Sequence, residues 1–288
     1  MKKIHFFPLL LCLIIVLSAC GKEASPEISS SEEPSVSQTD TGDSSSPEES
    51  SSVETSEPEE NPEPEPSVEP EKPSFTKEDV DELAAGTILT AEELEQVNYK
   101  DLFYYELIPD EVFARMDGVS FGEGCTTNRS DLRYVRLLHT GFDGETHVGE
   151  LVVYYKLADD MVYIFRTLYE NQYPIEKMLL VDDYDGDDEW SMEDNNTSCF
   201  NFRPVSGSDH LSNHAYGRAI DINPLYNPYI TSSGYQPSNA GDYVDRSGNN
   251  NPYQIDENDL CYQLFMERGY TWGGSWNSVK DYQHFEKE

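Results

Sequence analysis

Ser212-Asn213-His214-Ala215-Tyr216-Gly217-Arg218-Ala219-Ile220-Asp221-Ile222-Asn223-Pro224 places a histidine and an aspartate seven positions apart, with a glycine between them. Side chains alternate faces along an extended strand, so this odd spacing would send His214 and Asp221 to opposite sides. Gly217 supplies the bend that removes the conflict, because a residue without Cβ enters conformations that a side chain resists. Beyond the bend Ala219 and Asp221 share one face, small Ala219 leaving room, while Ile220 and Ile222 turn to a core. The last segment complements this stretch: Trp272-Gly273-Gly274-Ser275-Trp276, then Asp281-Tyr282-Gln283-His284-Phe285-Glu286. His284 follows Asp281 by three, a separation that a single turn closes, and Phe285 anchors the far side.

Two imidazoles, one carboxylate ligand and a spare carboxylate form the inventory of a catalytic zinc site with an open position. Zinc in a hydrolase takes three protein ligands and leaves the fourth place to water, whose pKa falls to roughly 7. A carboxylate that does not bind the metal then takes the proton and hands it to the leaving amine. The residues point to one Zn2+ ion on His214, Asp221 and His284, with Asp281 as base. The rival role for Asp281 is that of a hydrogen-bond partner to a ligand histidine.

These residues resemble a known family. Ser212, His214, Gly217, Ala219 and Asp221 match Ser-x-His-x-x-Gly-x-Ala-x-Asp, and Asp281 with His284 matches acid-x-x-His. Both motifs are similar to those of the zinc D-alanyl-D-alanine carboxypeptidases and dipeptidases of vancomycin resistance. They are closer to the endolysin-type relatives that cut L-alanyl-D-glutamate bonds. Arg203, in Phe200-Asn201-Phe202-Arg203, matches the family's upstream arginine, and the likeness runs from about Phe103 to the C-terminus. One departure stands out: Asp281 occupies the place where the resistance dipeptidases have glutamate, and the shorter acid fits the endolysin-type branch. The resemblance implies an α+β fold of the D-Ala-D-Ala peptidase and hedgehog-like kind, a small antiparallel sheet carrying the zinc between flanking helices. It implies hydrolysis of an amide in peptidoglycan stem peptides, either D-Ala–D-Ala or L-Ala–D-Glu. It also gives Arg203 a role in holding a substrate carboxylate or polarising the scissile carbonyl, work that suits a planar guanidinium fork. A non-catalytic wall-peptide binder or sensor on the same fold is the alternative, although a binder has no need of a base.

Upstream, the chain divides by composition. Residues 1–19 read as a signal peptide: Met1-Lys2-Lys3 is basic, Phe6 to Leu17 almost wholly apolar, and Leu17-Ser18-Ala19-Cys20 ends it. The last four resemble a bacterial lipobox, which makes Cys20 the lipid-modified first residue of a protein anchored outside the cytoplasmic membrane. Residues 20–75 are rich in Ser, Glu and Pro and almost without apolar side chains, so they read as a disordered tether. Residues 76–288 are long enough for one domain with its own core. The chain carries 56 acids against 19 Lys and Arg, a net charge of −37 to which the domain contributes as well as the tether. That surface excludes nucleic-acid binding, which needs a basic footprint. A monomer is expected.

Within the domain, Thr76–Leu83 and Thr90–Val97 predict short helices, Thr90 and Glu93 at capping-box spacing. Asp131–Thr140 and His147–Lys156 alternate apolar and polar residues and predict two strands of a hairpin or meander. Asp159–Asn171 and Asp256–Arg268 have helical periodicity, the second stopped by Gly269, and Met178–Val181 predicts a short strand or strand entry. The acidic run Asp182–Glu189 fails the EF-hand pattern at both ends and reads as a solvated turn. His139 and His147 are expected to be structural. His210, four before His214, lacks the glutamate and helix of a His-Glu-x-x-His site. Ser212 is either a turn residue or a substrate contact, and Trp272 and Trp276 either wall a cleft or fill a core. Cys125, Cys199 and Cys261 leave an odd thiol, so their pairing is not legible.

Overall fold

A computed structural model describes residues 74–248 and 251–288. The signal peptide, Cys20 and most of the tether lie outside the described residues. Among those residues no helix is long and apolar enough to cross a membrane.

The chain begins with α1 (Lys77–Asp81), β1 (Ile88–Leu89), α2 (Ala91–Leu94), β2 (Tyr104–Glu106) and α3 (Asp110–Met116). The long hairpin β3 (Leu132–Thr140) and β4 (Thr146–Tyr154) follows, then α4 (Ala158–Glu170) and α5 (Asp188–Glu193). After these come β5 (Ala219–Asp221), β6 (Tyr229–Thr231), β7 (Gly234–Gln236), α6 (Leu260–Glu267), β8 (Thr271–Trp272), β9 (Lys280–Asp281) and β10 (His284–Glu286). They form three antiparallel sheets, in the orders β1-β4-β3-β2, β5-β10-β8 and β7-β6-β9. The architecture is α+β.

Local chemistry explains the boundaries. Thr76 and Thr90 each close a reciprocal capping box, with Asp79 and Glu93 respectively. The C-terminal helix starts later than the periodicity predicts, because the side chain of Asp259 accepts from the Cys261 N–H and caps α6 there. Met178–Val181 is not a strand. The amide of Asn196 takes both the N–H and the carbonyl of Leu179, at 2.8 and 3.0 Å, so a side chain occupies the place of a neighbouring strand. The acidic run is also less solvated than its composition suggests. Asp182 holds the backbone N–H and hydroxyl of Ser120, Asp183 meets Arg115, Asp187 caps α5, and Asp188 meets Arg203.

The hairpin is covered on both faces, which is why its alternation predicts more exposure than it has. Val135, Leu137, Leu151 and Val153 enter the main core, while Leu132, Tyr134 and Val152 enter a smaller one with Met116 and Phe200. The main core also holds Ile164 and Phe165 of α4, Phe265 of α6, and Ile220 and Phe285 of the second sheet. Each such side chain contributes about 1.5–3 kcal/mol on burial. Phe265 stacks on Phe285 at 4.4 Å, which fixes β10 against α6. Glu150, caught in the hairpin, is paired: it receives Arg115 at 2.6 and 3.0 Å and the Tyr134 hydroxyl at 2.7 Å.

Gly217 makes the turn that the sequence demands. It sits at φ 64°, and its carbonyl accepts from the Tyr154 N–H at 2.8 Å. A Cβ there would lie 2.7 Å from the Tyr154 nitrogen. The end of the long hairpin thus holds the His214 turn where it enters β5.

Candidate metal centre

Strand pairing brings the first two donors together. In the β5–β10 ladder Asp221 is the direct partner of His284, and Phe285 pairs with Ile220. Directly opposed residues have Cβ atoms about 4.5–5.5 Å apart, so short side chains on one face meet. His214 comes from a 3-10 turn, Asn213–Tyr216, whose first N–H groups need a cap; the Ser212 hydroxyl accepts from the His214 N–H at 3.3 Å. On the other flank of β5, Ser198 pairs with Asp221, which carries Cys199 to the His214 ring.

The donor atoms of His214, Asp221 and His284 lie within 4.8 Å of one another, and all three residues are buried. His214 Nε2 is 3.2 Å from His284 Nδ1 and 3.2 Å from Asp221 Oδ2, and His284 Nδ1 is 3.0 Å from Asp221 Oδ1. Metal–nitrogen bonds of about 2.0–2.1 Å in tetrahedral array separate donors by about 3.3 Å, close to these values. The outer ring nitrogens are already committed. His214 Nδ1–H donates to the Cys199 carbonyl at 2.6 Å, and His284 Nε2–H donates to Glu286 Oε2 at 3.2 Å. With both histidines neutral and those hydrogens in place, two imidazole lone pairs and a carboxylate face one point, an arrangement that a cation reconciles. The residues fit a divalent ion.

In the metal-free chain a proton serves instead. Burial would depress His284, but its hydrogen bonds to Asp221 and Glu286 outweigh that and raise it to about 10. Burial would likewise raise Asp221, yet the two histidines hold it far below the usual carboxylate range.

Two further carboxylates flank the centre with opposite tendencies. Asp281 ends β9, and only Tyr282 and Gln283 separate it from β10. Its Oδ1 is buried without a hydrogen-bond partner, and desolvation, reinforced by the Asp221 charge, pushes it up to about 7. Glu286 is lowered, chiefly by the hydrogen bond from His284. Environments that separate two carboxyls in this way mark one for proton transfer and one for permanent charge. Gly273 permits the close approach of β9: a Cβ on it would lie 2.6 Å from the Asp281 carbonyl.

These groups open into one cleft of about 430 Å³, also lined by Arg203, Ser212, Gln283 and Trp276, a size suited to a small ligand. Arg203 Nη2 meets Asp188 Oδ2 at 2.7 Å. The Ser212 oxygen caps the His214 turn, as the turn reading expects, and the residue also lines the cleft. The tryptophans divide: Trp276 lies 5.5 Å from the His284 ring in the cleft wall, and Trp272 is buried in the core. Gly274 leaves the space that the Trp272 ring fills.

Among the other histidines, His139 is buried, bonded to the Ile175 carbonyl at 2.8 Å and stacked on His147; burial lowers it to about 4. His147 pairs with Asp143, and His210 is exposed on the loop after Arg203. Among the described residues, Cys125, Cys199 and Cys261 are free. Sequence reasoning missed Glu286, Asn213 and the Cys199 carbonyl. Glu286 had a readable signal, since it follows His284 by two and so shares its strand face.

Residues 206–287 match the D-alanyl-D-alanine carboxypeptidase family, which supports the family read from the motifs and a peptidase activity for this segment. No curated protein and no solved structure gives a significant match.

Proposed function

We propose that the chain is a zinc metallopeptidase that hydrolyses amide bonds in peptidoglycan stem peptides. The convergence of His214, Asp221 and His284 beside the partnerless Asp281 Oδ1 in one cleft carries this reading. A divalent ion held by those donors would supply Lewis-acid polarisation of a substrate carbonyl and would acidify a bound water. Asp281 Oδ1 accepts the proton of the attacking water and returns it to the leaving amine, a task for which a pKa near 7 is suited. Arg203 holds a substrate carboxylate or carbonyl, exchanging its contact with Asp188 for the ligand. Ser212 donates its hydroxyl hydrogen into the cleft, and Trp276 covers one wall. The family match supports a location outside the cytoplasm. We propose a lipid at Cys20, with the acidic tether giving the domain reach into the wall.

Incubating the full chain with purified muropeptides, with and without a chelator, tests the activity. Mass spectrometry should show chelator-sensitive loss of a terminal D-alanine or cleavage between L-alanine and D-glutamate. Intact muropeptides in the presence of zinc would contradict the reading. A radioactive fatty acid should label the wild type; equal labelling of Cys20→Ala would remove the anchor.

A further inference from the structure

We propose that Glu286 is a positioning residue of the metal centre, fixing His284 in the tautomer that presents Nδ1 to the ion. The inference rests on the zinc reading above and adds the device that orients one of its ligands. A neutral imidazole carries one N–H, and an ionised carboxylate can only accept. Nδ1 faces Asp221 Oδ1 at 3.0 Å and Nε2 faces Glu286 Oε2 at 3.2 Å, so with an ion held on the Asp221 side the hydrogen belongs on Nε2 and the lone pair on Nδ1. That nitrogen is the one facing His214 Nε2 and Asp221.

Glu286 is itself held in place. It lies two residues beyond His284 on β10 and pairs with Ala219, so it rides the same ladder that aligns Asp221 with His284. Asn213 Nδ2 donates to the same Oε2 at 2.6 Å. Since Asn213 directly precedes His214, this contact ties the turn bearing one imidazole to the strand bearing the other. The two histidines are thus oriented by different means: His214 by the neutral carbonyl of Cys199, His284 by a charged carboxylate. With Asp221, Glu286 supplies two negative charges to offset a dication. Partners of this kind set metal affinity by about 10–100-fold.

The test is zinc affinity of the full chain, measured by competition with a chromogenic chelator. Glu286→Ala should weaken zinc binding about 10–100-fold. Glu286→Gln should fall between, because its amide oxygen still accepts from Nε2–H without the charge. Asn213→Ala should weaken binding less than Glu286→Ala, and it replaces that variant if Glu286→Ala fails to fold. Nitrogen–proton correlation spectra of the zinc-loaded wild type should show His284 protonated at Nε2, a readout that general loss of packing does not imitate. Zinc binding within twofold of wild type in Glu286→Ala, or metal on Nε2 of His284, overturns the role of Glu286 and leaves the peptidase intact. A wild type that binds no zinc overturns both.

Discussion

Replacing Asp281 with asparagine should abolish turnover and at the same time strengthen the metal-free fold. Burial raises this carboxyl from 3.8 to about 7, so the folded chain binds its proton more tightly than the unfolded chain does. The stability it contributes is complete below pH 3.8 and is lost as the pH rises to about 7. At 1.36 kcal/mol per pH unit the loss is of the order of 4 kcal/mol at most. The residue is partly exposed, and solvent screening reduces that figure. Asparagine cannot ionise and escapes it. Urea unfolding in a chelator should give wild type and Asp281→Asn nearly equal pH-dependent contributions in acid. The variant should gain on the wild type as the pH passes neutrality. Its kcat/KM should fall by about 10²–10⁴, the usual contribution of a positioned base. The wild-type kcat/KM should itself fall in acid, since only the ionised form accepts a proton. A variant that retains turnover, or whose stability tracks the wild type at every pH, refutes the role assigned to Asp281.

Gly217→Ala should cost at least about 1–2 kcal/mol for the left-handed backbone alone. It should also weaken zinc binding, because the new Cβ meets the Tyr154 nitrogen and displaces the His214 turn; unchanged affinity would show that the bend does not set the ligands. Arg115→Ala strips the buried Glu150 of its cation and should destabilise the fold by about 3–5 kcal/mol, read as a lowered Tm. A shift within error would mean that water replaces the guanidinium. Alkylation of the denatured, unreduced chain should label Cys125, Cys199 and Cys261, whereas in the native chain half-buried Cys125 should react well before the other two. A protected pair after denaturation would reveal a disulfide.

The site was more legible in the sequence than the frame around it. His214 and Asp221 had to bend about Gly217 to share a face, and the backbone bends there with a left-handed residue. The pairing of Asp221 with His284 was implicit in the chemistry, but no local rule gives a register between strands sixty-three residues apart. The hairpin was legible as strands but not as a doubly covered sheet. Arg136 and Glu150 look like solvent-facing residues until α1 and α3 supply their partners. Met178–Val181 failed for a related reason: the amide of Asn196, far along the chain, fills the place of a strand. The acidic run misled because its charges are used singly, as a cap, a turn partner and two ion pairs.

Diffraction data collected on either side of the zinc absorption edge, from crystals of the full chain grown with zinc, test the centre most directly. The predicted result is one anomalous peak about 2.0–2.2 Å from His214 Nε2, His284 Nδ1 and Asp221, with the fourth position open to the cleft. A peak elsewhere, or none while those three side chains hold their places, would contradict it.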